Sequence, residues 1–232
     1  ASKKYAPAIR TLGIFHSKGY GVKKDSVQAI ELLQQAVNMK DAKAAEFLAD
    51  IYMQGELTER DPLKAVKNLL KAIAGGSSKA MVVLANLYFK GDGIEKSKDR
   101  GFKLLEQAIR KGNSDAMVMM GSLFNDGVIT VKNLDLAFKF FKMAAESGQK
   151  EGMFRLSLAY FLGKGCEKEE STAYRWLKRA AAKSFRSMRR TASIAKPATL
   201  RTLPRILTGR FRKVVAGQIT LVCKSGFAGL RL

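Results

Sequence analysis

The chain predicts an all-α fold: a right-handed α/α superhelical solenoid of five helix-turn-helix repeats. Three observations carry this reading. Glycines stand at Gly19, Gly55, Gly91, Gly127 and Gly163, each 36 positions after the last. A ring stands three residues before each of them: His16, Tyr52, Tyr88, Phe124 and Tyr160. An unbroken alanine column, Ala36, Ala72, Ala108, Ala144 and Ala180, keeps the same period. A fixed internal period of this size marks stacked units, because one helix pair cannot bury its apolar face alone and a stack can.

Each unit reads as two helices. In the second unit, apolar residues at Ala44, Ala45, Phe47, Leu48, Ile51 and Tyr52 follow the i, i+3, i+4 spacing of one helical face. Gln54-Gly55 ends that helix, since glycine adopts the left-handed conformation at a helix C-terminus. Asp61 then caps a second helix with Pro62 at its first position, and Ala65, Leu69, Ala72 and Ile73 turn inward. The cap recurs as Asp25, Ser97 and Asn133; Glu169 breaks the column and leaves Ser171 as the alternative cap. Ala8, Ala44, Ala80, Ala116 and Gly152 begin the first helices. Leu12, Leu48, Leu84, Met120 and Leu156 form a core column beside the small residues Gly13, Ala49, Ala85, Gly121 and Ser157. Ala29, Ala65, Gly101, Ala137 and Ala173 let second helices approach closely. The repeats therefore run over about 5–40, 41–76, 77–112, 113–148 and 149–184. A sixth unit would need a ring at 196 and a glycine at 199, which are Lys196 and Thr199.

The columns read A-x-x-x-L-G/A-x-x-Y-x-x-G-x-G-V, a D/S/N cap, then K-A-x-x-x-L-x-x-A-A-x-x-G. Repeat three carries them as Ala80, Leu84, Ala85, Tyr88, Gly91, Gly93 and Ile94, and repeat four adds Ala144, Ala145 and Gly148. This pattern resembles the Sel1-like repeat family, relatives of the tetratricopeptide repeats, over about residues 4–183. Leu57 and Ile129 depart from it at the second glycine, and Arg100-Gly101 replaces Lys-Ala. The resemblance implies adaptor roles in signalling, in assembling membrane-associated complexes or in host–microbe contact. Hydrolysis of β-lactams has been linked to cysteine-rich members, and no matching residues stand here.

The 232 residues hold one repeat block, residues 1–184, and a tail, 185–232. No stretch approaches the roughly 18 apolar residues of a membrane span, and no signal peptide is visible. Ala1-Ser2-Lys3-Lys4 aligns with Ala145-Glu146-Ser147-Gly148, the end of a second helix, so further repeats are expected upstream. Cys166 and Cys223 lack metal or disulfide spacing. A reducing compartment is expected, cytoplasmic or an organelle matrix after removal of an upstream leader. The formal charge of +22 is uneven: residues 1–183 hold 31 Lys/Arg against 20 Asp/Glu, and the last 49 residues hold 11 Lys/Arg and no acid.

Catalytic chemistry finds no constellation, and no cofactor or metal site is expected. His16 is the only histidine and occupies the ring column, so it reads as a packed ring. The G-x-G pairs follow helices and lack the strand and third glycine of a dinucleotide site. Met81, Met117, Met119, Met120 and Met153 read as adaptable core filling. Phe138, Phe140, Phe141 and Trp176 read as packing residues of second helices, and Lys139 and Lys142 as a solvated face.

Recognition is expected where columns vary. In related repeat folds the first helices line the concave side. Three columns face it by register: Arg10, Glu46, Val82, Val118 and Phe154; Ile14, Asp50, Asn86, Ser122 and Leu158; Ser17, Met53, Phe89, Asn125 and Phe161. Phe89, Phe154 and Phe161 would be exposed aromatic anchors for a protein or peptide partner, with packing of Phe154 and Phe161 under the tail as the alternative.

In the tail, Phe185 to Ala195 reads as a short capping helix stopped by Pro197. Beyond it the chain reads as irregular, although 218–222 has strand propensity. Arg186, Arg189, Arg190, Arg201, Arg205, Arg210, Arg212 and Lys213 suit nucleic acid or an anionic membrane surface, without a nucleic-acid-binding signature. The abrupt loss of acids and of period fits a basic anchor, a separate binding arm or a shifted reading frame. The primary expectation is a non-enzymatic interaction scaffold. The alternative is a nucleic-acid- or anionic-surface-binding protein acting through the tail.

Overall fold

The computed structural model describes residues 5–192, with side chains through Lys183. Ten helices and no strand occur among the described residues. The first helices are α1 (Ala6–Lys18), α3 (Ala42–Gln54), α5 (Ser78–Lys90), α7 (Ser114–Asp126) and α9 (Lys150–Leu162). The second helices are α2 (Ser26–Asn38), α4 (Pro62–Ala74), α6 (Lys98–Arg110), α8 (Leu134–Glu146) and α10 (Glu170–Ala192). Contacts divide the chain into two compact units, residues 1–180 and 181–232. Of the second, the described part is the last turns of α10.

The helix ends follow from local chemistry. Each first helix ends on its column glycine with φ between 65° and 76°, the left-handed region where a Cβ is costly. Asp25, Asp61, Ser97 and Asn133 accept a bond from the backbone N–H three residues on, at 2.9–3.4 Å. Such a cap contributes about 1 kcal/mol. At the fifth repeat α10 opens at Glu170, so Ser171 lies inside the first turn and does not cap it. Glu169 instead gathers the hydroxyls of Ser171 and Thr172. The second helices of repeats two to four are followed by Gly76, Gly112 and Gly148, all with positive φ. The equivalent of these glycines is Ser184. There α10 continues to Ala192, where a separate capping helix from Phe185 was expected.

Packing follows the columns. Leu48, Leu84 and Leu156 are 0–1% exposed and Met120 3%, each contributing roughly 1.5–3 kcal/mol by burial. Ala36, Ala72, Ala108 and Ala144 are fully buried. They mark close approach of each second helix to the next first helix: a Cβ added at Gly152 would lie 2.6 Å from the Ala144 methyl. The expected core column fails at one end. Leu12 is 45% exposed and Phe15 42%, because the α1 face that in later repeats receives a preceding second helix has none among the described residues.

Candidate partner-binding face

The first helices form a layer of their own. α5 touches α7 and α7 touches α9, whereas among α2, α4, α6 and α8 no second helix makes comparable contact with the next. The side chains between neighbouring first helices therefore sit where the repeats approach most closely.

A bonded chain runs along this layer. Arg10 donates through Nη1 to both oxygens of Asp41 at 2.6–2.8 Å, and Asp41 caps α3 by accepting from the Ala44 N–H. Ser77 donates to Glu46 while capping α5. Asn113 donates to the Ser78 hydroxyl at 3.0 Å while capping α7. Gln149 donates to Asp115 at 3.1 Å while capping α9. Arg10 and Glu46, expected to face a partner, are thus engaged with the cap of the next repeat. This second cap column was missed by sequence reasoning, although Asp41, Ser77, Asn113 and Gln149 keep the 36-residue period.

The remaining expected residues fall into two groups. Asp50, Asn86, Val118, Ser122, Asn125 and Phe154 are half-buried, and Phe161 is 43% exposed with Lys168 Nζ 5.8 Å from its ring centre. Burial raises the Asp50 carboxyl above its ordinary value; Lys79, 3.8 Å away, opposes the shift and Glu46 adds to it. Ile14, Met53 and Val82, by contrast, pack against core clusters, and Ser17 is a correction: it is 2% exposed, its hydroxyl donating to the Ile14 carbonyl of its own helix. Phe89 is a correction: it is 4% exposed and edge-on to Phe102, with ring centres 5.3 Å apart. The cause is Gly101. A Cβ there would stand 2.3 Å from the Phe89 ring, so the missing methyl leaves the space that the ring fills. The signal lay in the column Ala29, Ala65, Gly101, Ala137, Ala173, which drops to glycine at that point alone.

An open depression of about 40 Å³ lies where α7, α8 and α9 meet. Its floor is Leu134, Ala137, Phe138, Phe141 and Leu158, and its rim is Asn125, Arg155 and Lys164. It brings together Asn125 and Leu158 from the expected recognition columns. Arg155 and Lys164 were missed, having no column of like residues to announce them. A depression of this size takes one side chain, well below the several hundred Å³ of a small-molecule site.

Among the described residues no group of His, Cys, Asp and Glu could hold a metal ion, and no helix is long and apolar enough to cross a membrane. His16 is half-buried in the ring column, its Nδ1 enclosed. Burial, with Glu169 adding to it, pushes the Cys166 thiol above its ordinary value, away from the reactive thiolate. Of the tail residues, Arg186, Arg189 and Arg190 belong to the last turns of α10. Arg201, Arg205, Arg210, Arg212 and Lys213, and the segment 218–222, lie outside the described residues. So does any tail contact to Phe154 or Phe161.

The sequence model of the Sel1 repeat matches five consecutive stretches, residues 6–41, 42–77, 78–113, 114–149 and 150–185. Solved structures share the fold. A Sel1 repeat protein from Oxalobacter formigenes is 23% identical, with a TM-score of 0.73 over 92% of this chain and 88% of its own. A protective antigen of uropathogenic Escherichia coli strains is 23% identical, with a TM-score of 0.68 over 79% of this chain; the match spans 39% of the antigen's length. An immunity protein from Pseudomonas aeruginosa is 22% identical, with a TM-score of 0.52 over 76% of this chain and 64% of its own. None of the curated proteins compared with the chain matches it.

Proposed function

The chain belongs to the Sel1 repeat family, a non-catalytic scaffold fold whose members generally bind protein partners, and from that premise we propose that its first-helix face binds a peptide segment of a partner protein. The observation carrying this is the contrast between columns. Framework positions of the first helices repeat and are sealed at 0–5% exposure from the second repeat onward, as at Leu48, Leu84, Met120, Leu156 and Ser157. Asn86, Val118, Ser122, Asn125, Phe154 and Phe161 instead change identity from repeat to repeat and remain partly open in the same layer. In a repeat protein each unit contacts only its neighbours, so residues released from that packing are those able to vary with a ligand. The contacts of α5 with α7 and of α7 with α9, stronger than any between successive second helices from α2 to α8, fit a stack curved with the first helices inside.

A phage-displayed random peptide library selected on the whole chain tests this reading. Asn86→Arg and Ser122→Arg each place a long cation on the face and are expected to weaken the selected peptides at least about tenfold, the scale of one misfit side chain in a binding site. Lys67→Glu, on the exposed side of α4, is expected to leave them unchanged. Peptides indifferent to both first-helix changes would move the binding site elsewhere.

A further inference from the structure

The depression at the fourth junction has counterparts, and they indicate what fills it. Thirty-six residues earlier, the positions of Asn125, Ala137, Phe138, Phe141 and Arg155 are held by Phe89, Gly101, Phe102, Leu105 and Met119. There Phe89 itself occupies the space, sealed among Phe102, Leu105 and Met119. That ring needs Gly101 opposite it, where repeat four has Ala137. One repeat earlier the same position is Met53, which packs against the first core cluster opposite Ala65, the alanine equivalent to Ala137. In repeat four the position is Asn125. Its short amide donates to Asp126 at 2.8 Å and leaves the apolar floor of Phe138, Phe141 and Leu158 uncovered.

The rim differs in charge as well. At the place of Arg155 the other repeats carry Thr11, Phe47, Val83 and Met119; at the place of Lys164 they carry Tyr20, Glu56, Asp92 and Val128. Only this junction has two cations. Arg155 donates to Glu151 through Nε at 2.7 Å, which leaves the terminal guanidinium nitrogens as donors. The Lys164 ammonium meets no carboxylate within ion-pair distance among the described residues.

We propose that this junction is a specificity subsite of the peptide-binding face. It receives one apolar side chain of the partner, seated over Phe138, Phe141 and Leu158 in the place Met53 holds in repeat two, and Arg155 and Lys164 pair with a carboxylate next to that side chain. The proposal rests on the first-helix face being the binding face. The occupant's chemistry follows from the molecule itself. Where the facing residue is alanine, as Ala137 is here, the chain itself supplies a methionine, Met53 opposite Ala65, and a carboxylate is the group that a guanidinium and an ammonium jointly select.

The test uses peptides selected from the phage-displayed library on the whole chain, titrated against variants. They are expected to carry Met or Leu with Asp or Glu within two residues. Asn125→Met lets the protein cover its own depression with the side chain that repeat two carries there as Met53, opposite an alanine, Ala65, as in repeat four. It is expected to weaken these peptides at least about tenfold while leaving the urea midpoint of the protein equal or higher. Lys164→Gln, at an exposed position that cannot disturb folding, is expected to weaken acid-bearing peptides severalfold and to leave their Asp→Asn or Glu→Gln versions unchanged. Peptides that respond to Ser122→Arg but bind Asn125→Met as tightly as the parent would overturn the subsite and spare the face. Peptides indifferent to Lys164→Gln would overturn the carboxylate pairing. Recovery of no peptide, or of peptides indifferent to every first-helix change, would overturn both readings.

Discussion

Lys40 has φ of 64°, and it is the one non-glycine residue with positive φ among the described residues. Its equivalents are Gly76, Gly112 and Gly148, at 91°, 75° and 84°. A side chain in this region costs of order 1–2 kcal/mol, and glycine returns part of that through its freedom in the unfolded chain. Lys40→Gly is therefore expected to raise stability by about 0.5–1 kcal/mol, read as a higher urea midpoint at unchanged slope; a lower midpoint would sink the argument. Gly101 gives the opposite sign. Glycine inside a helix ordinarily costs about 0.5–1 kcal/mol relative to alanine, so Gly101→Ala should stabilise on propensity alone. Here the added methyl meets the buried Phe89 ring at 2.3 Å, and overpacking costs typically 1–3 kcal/mol. A lower melting midpoint is expected, and a rise would show that the ring yields freely. These two positions also show where a column reading stops. Lys40 and Gly101 both break their columns visibly in the sequence. Which way the backbone or a ring responds depends in the one case on Phe89, on the preceding helix, and in the other on a single dihedral, and neither is written in the period.

At the scale of the helix pair, the periodicity was sufficient for element identity, order and number of repeats, because caps, left-handed glycines and buried alanines are all local or one repeat distant. The first-helix layer was less legible. Polar residues facing a neighbour look the same in sequence whether they await a ligand or bond the next cap, and Arg10 and Glu46 do the latter. The alanine column provides the sharpest test at this scale. Ala108 on α6 and Ala116 on α7 are both fully buried where the two helices meet, while Lys103 on the same α6 is exposed. Ala108→Leu is expected to cost about 1–3 kcal/mol by overpacking. Lys103→Leu should stay within about 0.5 kcal/mol. Because repeats stabilise mainly their nearest neighbours, hydrogen exchange in Ala108→Leu should accelerate in repeats three and four before repeats one and five. Equal urea midpoints for the two variants at equal slope would show that the column does not mark close packing.

Over the whole molecule, charge separates two modes of binding that one experiment can tell apart. The repeats carry both signs in mixture, and the first-helix face offers a ligand only a few cations, Arg155 and Lys164 among them. The final 49 residues carry 11 Lys/Arg with no acid. A peptide held in an apolar depression by one carboxylate loses a modest share of its affinity as salt rises, since an exposed pair contributes only about 0–1 kcal/mol. A polyanion held by the tail loses affinity steeply, because each phosphate neutralised on a single strand contributes about 0.7 to the slope of log K against log salt. Single-stranded RNA and a selected peptide would both be titrated against the full chain and against a chain ending at Ala192, a cut that keeps α10 whole. The expected outcome is RNA binding with a steep slope in the full chain, lost on truncation, beside peptide binding that changes little with either salt or truncation. RNA bound equally well by the shortened chain would place the polyanion site on the repeats and remove the tail from the account. Peptide binding that vanished with the tail would mean that residues 193–232 complete the face.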